Sequence, residues 1–277
     1  MITNEVVNQA ISYIMEHIGE EISIEDVADY CHFSKYYFSR VFKEETGESI
    51  YAFIKRVKLE QSAFRLKVER VKSITDIGYD YGYSPPNYSA AFKQHHKATP
   101  IEFRKKIAQK SILHPFYPNT VNKIDTLEEC NEKITIEIIE DQYVIYERRI
   151  GNYKNLSEDW TEFLDRYKDY QTNSTLLLER TFDDVSITDA NSCLYDICMS
   201  VDRSCTLPNT CIIEGGKYAV YHFKGYPWQI YGAYQSLFNV WIPLSNHRID
   251  KRYGFECYGD INCDTMYMAL DIYIPIE

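Results

Sequence analysis

Glu256 and Tyr258 share one face of the strand-like run 254–258, while Phe255 and Cys257 take the other, because side chains alternate along a strand. In 267–274, Tyr267 and Tyr273 share a face, and Met268, Leu270, Ile272 and Ile274 share the opposite one. The aliphatic face suits packing on helices, and the face of tyrosines with a carboxylate suits a cavity. One glutamate among aromatic rings would hold a lipophilic cation through charge pairing and cation–π attraction. The plain alternative is a solvated carboxylate at a strand edge. A second chemistry is written in charge. Residues 34–110 hold 16 Lys/Arg and 8 Asp/Glu, a net of +8, in a chain whose net charge is −11. A basic segment in an acidic protein is the footprint of phosphate contacts.

The elements that position these groups come in repeats. Residues 24–53 recur, at a constant offset of 50, as 74–103: Ile24 with Ile74, Asp26 with Asp76, Ser34 with Ser84, Phe38 with Tyr88, Phe42 with Phe92, Lys43 with Lys93, and Phe53 with Phe103. Each copy reads as helix, short turn, helix. Ser34 and Ser84 stand where N-caps belong, and Pro85 and Pro86 fall in the first turn, where proline is tolerated. Two short helices, the second capped and basic, are the plan of a helix-turn-helix. Tyr37, Phe38, Phe42, Tyr88 and Phe92 are expected in the core.

The runs IEDVADYCHFSKYYFSRVFKEETG, ESIYAFIKRVKLEQSAFRL and ITDIGYDYGYSPPNYSAAFKQHHKATPIEFRKK together resemble the AraC-type DNA-binding domain over about residues 5–107. The resemblance implies seven helices, with two recognition helices joined by a long one near 50–68 whose inward positions are Ile50, Phe53, Ile54, Val57 and Leu66. Such a linker would set the recognition helices about 34 Å apart, so one chain would read two adjacent major grooves of double-stranded DNA. The family's base-reading positions fall on Tyr36, Ser39 and Arg40, and Arg40 suits bidentate pairing with guanine. Lys35 and Lys43 would hold phosphates. The matching positions of the second helix are Pro86, Ser89 and Ala90. Only Asn87 and Ser89 keep hydrogen-bonding side chains there, so weak base readout is expected, with Lys93, His95, His96 and Lys97 on the backbone.

Residues 111–277 differ in kind: 14 Lys/Arg, 26 Asp/Glu, all three tryptophans and 16 of the 25 tyrosines. The stretch 111–132 reads as a linker. Beyond it, ITIEII, YVIYERR, LYDICMSV, YAVYHFKG and YMALDIYIPI are strand signals, with helices near 154–169 and 228–242. YVIYERRIG (143–151) resembles YAVYHFKG (218–225), and Leu156, Trp160, Phe163 and Leu164 match Ile230, Tyr234, Leu237 and Phe238. The duplicated strand–helix–strand unit would put its helices on one face of a joined sheet and leave the seam as a concave site.

The IGNY turn (150–153), LYDICMSV (194–201), EGGKYAVYHFKG (214–225), the helix ending Trp241–Leu244, FECYG (255–259) and DIYIPIE (271–277) resemble the GyrI-like effector-binding domain over about 133–277. Leu194 stands where that family commonly has Arg. The resemblance implies that Glu256 contacts a cationic ligand, joined by Tyr195 and by Tyr153 of the turn. Trp160 and Trp241 lie on the helices, where pocket wall and plain core are equally open. Some domains of this kind are thought to hydrolyse strained rings, and others to bind proteins; both stand as alternatives to sensing.

The expected architecture is therefore an all-α DNA-binding domain at 1–110, with two helix-turn-helix motifs joined by a long helix, a linker at 111–132, and an α+β domain at 133–277. The latter is a duplicated strand–helix–strand–strand unit whose antiparallel sheet carries helices on one face. The expected function is a sequence-specific transcription regulator, not an enzyme, with a small hydrophobic effector, cations included. RNA polymerase is a partner if the protein activates, and monomer or dimer is undecided. No cofactor is expected. The eight cysteines lack zinc-finger spacing, so no metal is expected either, and buried thiols are the reading, with a redox pair at Cys205 and Cys211 as the lesser one. Val6, Val7, Ala10, Ile11, Ile14 and Ile18 make a helical face rather than a signal peptide, and no run approaches roughly 18 apolar residues, so a cytoplasmic protein without a membrane span is expected.

Overall fold

The computed structural model describes residues 1–110, 112–117, 121–262 and 265–277. The chain forms two compact units, Met1–Ala108 and Gln109–Glu277.

The first unit is helical: α1 (Glu5–Glu16), α2 (Ile24–Tyr30), α3 (Lys35–Thr46), α4 (Ile50–Val68), α5 (Ile74–Asp80), α6 (Pro85–His96) and α7 (Pro100–Lys110). α2–α3 and α5–α6 are the two helix-turn-helix motifs, and α4 joins them. Ser23 closes α2 with a capping box through Asp26, and Ser34 accepts the Tyr37 amide at 3.4 Å. Ser84 holds the N-cap position of α6 but makes no side-chain cap bond, contrary to expectation. Pro86, at the second helical position, removes one of the two amides it could accept. Gly47 ends α3 at φ 80°, and its counterpart Lys97 ends α6 at φ 58°, so a lysine holds a left-handed position that glycine takes in the first copy.

The repeat also governs the core. Phe42 meets Phe53 edge-on at 5.4 Å, and the matching Phe92 meets Phe103 at 5.3 Å. Ile50, Phe53, Ile54, Val57 and Leu66 are all buried on α4. Tyr37, expected in the core, is 45% exposed. Phe38 and Phe42, four residues apart, own the buried stripe, and Tyr37 is rotated off it. It stacks on Phe33 instead.

The second unit is built on an antiparallel sheet of β1 (Ile134–Ile139), β2 (Gln142–Ile150), β3 (Leu177–Thr181), β4 (Leu194–Ser200), β5 (Thr210–Ile213), β6 (Gly216–Gly225), β7 (Phe255–Ile261) and β8 (Met268–Pro275). The order is β1-β6-β8-β7-β3-β4-β2-β5. Helices α8 (Leu127–Lys133), α9 (Leu156–Arg166) and α10 (Pro227–Ser236) accompany it, and a wide turn, Leu237–Trp241, prolongs α10. β2-α9-β3-β4 and β6-α10-β7-β8 are the two copies, and they meet where β3 pairs with β7. β3 and β5 escape the strand signals because they are short.

The sheet has two distinct faces. One packs Ile145, Tyr195, Ile197 and Met199 beneath Trp160 and Phe163 of α9. The other gathers Val144, Tyr146, Leu178, Cys198, Tyr218, Val220 and Phe255 from strands of both halves into one cluster. The stretch expected as a linker is partly structured. Thr126 and Glu129 form a capping box on α8, Cys130 is fully buried, and the Asp125 amide donates to Ser236 Oγ at 2.9 Å. Its polar composition hides that one buried thiol. Cys31, Cys193 and Cys198 are also buried, Cys205, Cys211 and Cys257 half-buried, and Cys263 lies outside the described residues.

Candidate functional site

At the seam of the two copies, Glu179 of β3 stands directly opposite Glu256 of β7 in the antiparallel register. Directly opposed residues have Cβ atoms about 5 Å apart and point to the same face. That face is the helix side, because Glu179 also pairs with Ile197, which packs under α9. Both carboxylates are buried, at 2% and 5% exposure. The Tyr258 hydroxyl donates to Glu179 Oε2 at 3.0 Å. Trp160 of α9 meets the Tyr258 ring edge-on at 5.4 Å. Its indole N–H lies near Glu179, and the Tyr234 hydroxyl of α10 lies near Glu256, yet neither group has a hydrogen-bond partner. Trp160 and Tyr234 are matched positions of the internal repeat, so each copy supplies one carboxylate and one aromatic donor above it. Tyr153 stacks on Tyr195 at 4.4 Å, beside the same carboxylates, and Phe116 leans on Tyr153 at 5.8 Å.

Charge bookkeeping around the pair is lopsided. On the same face, Glu147 is held by Arg149 at 3.2 Å and by Arg166, and Asp159 is 3.2 Å from Arg149 Nε. Among the described residues, neither Glu179 nor Glu256 enters a salt bridge. Burial pushes both carboxyls up, and each raises the other's cost of ionising; Glu256 is pushed up to about 7 and Glu179 lies well above the ordinary carboxylate range. Burial likewise holds the Tyr153, Tyr234 and Tyr258 hydroxyls in their neutral form.

One residue along each strand, on the opposite face, buried charge is handled differently. Arg148, Asp196 and Arg180 form a row across β2, β4 and β3. Arg148 Nε and Nη2 reach the two Asp196 oxygens at 2.8 and 3.0 Å, and Arg180 Nε reaches Oδ2 at 3.1 Å. Burial alone would raise the Asp196 carboxyl, but the two guanidiniums hold it below its usual value.

Of the expected effector residues, the fold brings together Glu256, Tyr258, Tyr195, Tyr153 and Trp160. Three are elsewhere. Tyr273 pairs with Phe255, not with Glu256, and stacks on that ring at 4.5 Å on the far face; Ile272 is the residue opposite Glu256. The aliphatic face of β8, not its tyrosine face, therefore lies beside the carboxylate. Tyr267 precedes β8, 45% exposed, and packs on Tyr226. Trp241 is core: its Nε1 donates to Asn131 at 3.1 Å and its ring stacks on His247. Glu179 and Tyr234 are the residues the sequence reading missed. A charged residue directly after three leucines was the available signal for Glu179.

In the first unit, α3 presents Tyr36, 85% exposed, with Lys35, Arg40 and Lys43 also exposed and Ser39 half-buried. Arg40 lies over the Tyr37 ring at 5.7 Å, and Lys35 pairs with Glu25. On α6, Asn87, Ser89 and Lys93 are exposed. The two histidines are half-buried. His95 Nε2 is 3.5 Å from the buried Glu60, and His96 packs on Phe92 and Phe103 with Nε2 3.2 Å from the Leu59 carbonyl. His96 follows the α6 stripe that seats on α4 and α7, which turns it away from a DNA backbone, while His95 keeps 30% of its side chain exposed beside Glu60.

Comparison with known proteins matches a helix-turn-helix domain model at residues 27–106 and a GyrI-like small molecule binding domain model at residues 132–277. Regulatory protein PocR of Salmonella typhimurium is 33% identical over 39% of this chain, which spans only 35% of PocR's length. Regulatory protein SoxS of Escherichia coli is 29% identical over 37% of this chain and 96% of its own. A solved AraC-type DNA-binding domain-containing regulator from Chromobacterium violaceum is 28% identical, covers 36% of this chain and 90% of its own, and has a TM-score of 0.35. No described helix is long and apolar enough to cross a membrane.

Proposed function

The chain belongs to the GyrI-like small-molecule-binding family and sets that domain behind an AraC-type helix-turn-helix domain, and on this premise we propose that it is a DNA-binding transcription regulator governed by a small hydrophobic effector. The observation that carries the effector half is the pair Glu179–Glu256, buried under Trp160, Tyr234 and Tyr258 with no cation of its own among the described residues. An aromatic cage with unspent negative charge favours a flat or globular organic cation over a neutral molecule of the same shape. The cytosol, where DNA is, is the proposed compartment.

For the DNA half, exposure of Tyr36, Arg40 and Lys43 on α3 supports readout by the first motif, with α6 contributing Asn87, Ser89 and Lys93. Arg40→Ala is expected to relax preference at one base pair and cost about 1–3 kcal/mol. Equal weakening on every sequence would reduce Arg40 to a phosphate contact.

A thermal-shift series on the full chain tests the effector reading, with N-methyl-4-phenylpyridinium as the cation and 4-methylbiphenyl as its neutral counterpart. At a hundredfold excess over its dissociation constant, a bound ligand stabilises by about 2.7 kcal/mol. A shift with the cation that Glu256→Gln removes supports the reading, and release of a chemically altered product would instead make the second unit a hydrolase.

A further inference from the structure

We propose that the Glu179–Glu256 pair holds one shared proton in the empty pocket and exchanges it for the charge of a cationic effector, so that a cation enters with release of a proton to solvent and a neutral ligand enters without one. This rests on the effector reading above and specifies how that site chooses its ligand.

The geometry requires it. Two carboxylates opposed across one register position, both nearly water-free, cannot both carry charge without a counterion. The elements packed against the pair offer these groups. From β7 comes the Tyr258 hydroxyl, a neutral donor already committed to Glu179. From α10 comes the Tyr234 hydroxyl, and from α9 the Trp160 indole and Asp159, the last engaged by Arg149. β4 brings Tyr195, whose hydroxyl reaches Asp159 Oδ2 at 3.4 Å. The turn before α9 brings Tyr153, and the segment before β4 brings Asp183, whose carboxylate accepts the Leu194 amide, and Cys193. β2 brings Arg149 and Glu147, which neutralise each other together with Arg166 and Asp159. Two guanidiniums are thus matched by two other carboxylates, and among the described residues no positive charge is left for the pair, whose balance a proton supplies. The balance is simple: the singly protonated pair plus a monocation becomes the doubly ionised pair holding the cation, plus a hydrated proton. Burial displaces the ionisation of Glu256 to about 7, which brings the exchange into the neutral range.

A consequence is a pH-dependent choice of ligand. Below the pair's second ionisation, cation affinity should rise about tenfold per pH unit, while affinity for a neutral ligand should not rise. The test uses the full chain and the two probes named above. Tryptophan fluorescence titrations across about pH 5 to 8 give both affinities, and calorimetry of the cation in buffers of different ionisation heat counts protons. Expected are release of about one proton per cation near pH 6, a pH-dependent cation affinity, and a neutral affinity without that rise. The double variant Glu179→Gln/Glu256→Gln should bind the neutral probe, which shows it folded, and lose both the proton release and the preference for the cation. Cation binding with heats independent of buffer would overturn the exchange and leave the effector site standing. Failure of both probes to bind the wild-type chain would overturn the effector reading and the exchange with it.

Discussion

The sheet of the second unit buries charge on both faces, one residue apart on the same strands, and treats it in opposite ways. On one face Asp196 lies between Arg148 and Arg180, and each guanidinium uses its fork on the carboxylate. On the other face Glu179 and Glu256 confront each other with one tyrosine hydroxyl between them and, among the described residues, no cation. A buried ion row with its partners in place is complete as it stands and has nothing left to offer a ligand. A buried pair of like charges is incomplete, and its completion is a proton or a cation. Adjacent residues on one strand, Glu179 and Arg180, thus belong to different tasks because the pleat sends them to different faces.

The comparison can be broken most forcefully on the closed side. Asp196→Asn leaves two buried guanidiniums without their carboxylate, and a loss of about 3–5 kcal/mol in chemical denaturation is expected. If Glu179→Gln proved equally damaging, the contrast between the faces would be wrong.

Acidity sharpens it next, because the two faces have opposite signs. The Glu179–Glu256 carboxyls ionise later in the folded chain than in the unfolded one. Their contribution is full below the ordinary carboxylate value of 4.5; that of Glu256 is lost as pH rises through about 7 and that of Glu179 as pH rises through its own raised value, at up to about 1.4 kcal/mol per pH unit for each proton. Asp196 ionises earlier when folded, so its contribution is present above its usual value of 3.8 and is lost as pH falls through its lower folded value. Denaturation of wild type and the double glutamine variant as a function of pH should differ by the first slope and share the second.

Smaller effects follow at the pocket. Glu256→Gln should weaken a lipophilic cation by about 10- to 100-fold, or about 1.4–2.7 kcal/mol, and hardly touch its neutral counterpart. Equal loss for both would make Glu256 a structural residue. Smallest is a pair of hydroxyl deletions. Tyr258→Phe removes the donor to Glu179 and should change cation binding by about 1 kcal/mol. Tyr273→Phe, on the far face, should leave binding unaltered in the same titration. A matching effect from Tyr273 would contradict the register.

Much of this was legible in the chain. The offset of 50 places both helix-turn-helix motifs, and α4 runs Ile50–Val68, over the range expected for the joining helix. The strand–helix repeat of the second half is fainter, yet the match of Trp160 with Tyr234 correctly pairs the two residues that stand over the two carboxylates. The failures have a common character. His96 reads as a surface cation, but it lies on the α6 stripe that packs inward. Tyr273 read as a wall of the cavity because its own strand alternates tyrosine against aliphatic residues. Glu179 went unread because its strand is five residues long.

Local periodicity determined what the sequence could determine by itself: which residues begin, cap and end the helices, which side chains share a face within one strand, that the chain is built from two duplicated halves, with a basic stretch at 34–110 and an acidic one at 111–277, and that Glu256 stands among tyrosines. The tertiary structure decided which face of each strand looks towards the helices and which residue lies across from which. Those are matters of register between β3, β7 and β8, with paired residues of β3 and β7 75 or more positions apart, and a shift of one residue exchanges every side chain between the faces. The meeting of Glu179 with Glu256 and the exclusion of Tyr273 depend on that pairing, which hydrogen bonds between distant strands set and no local pattern encodes.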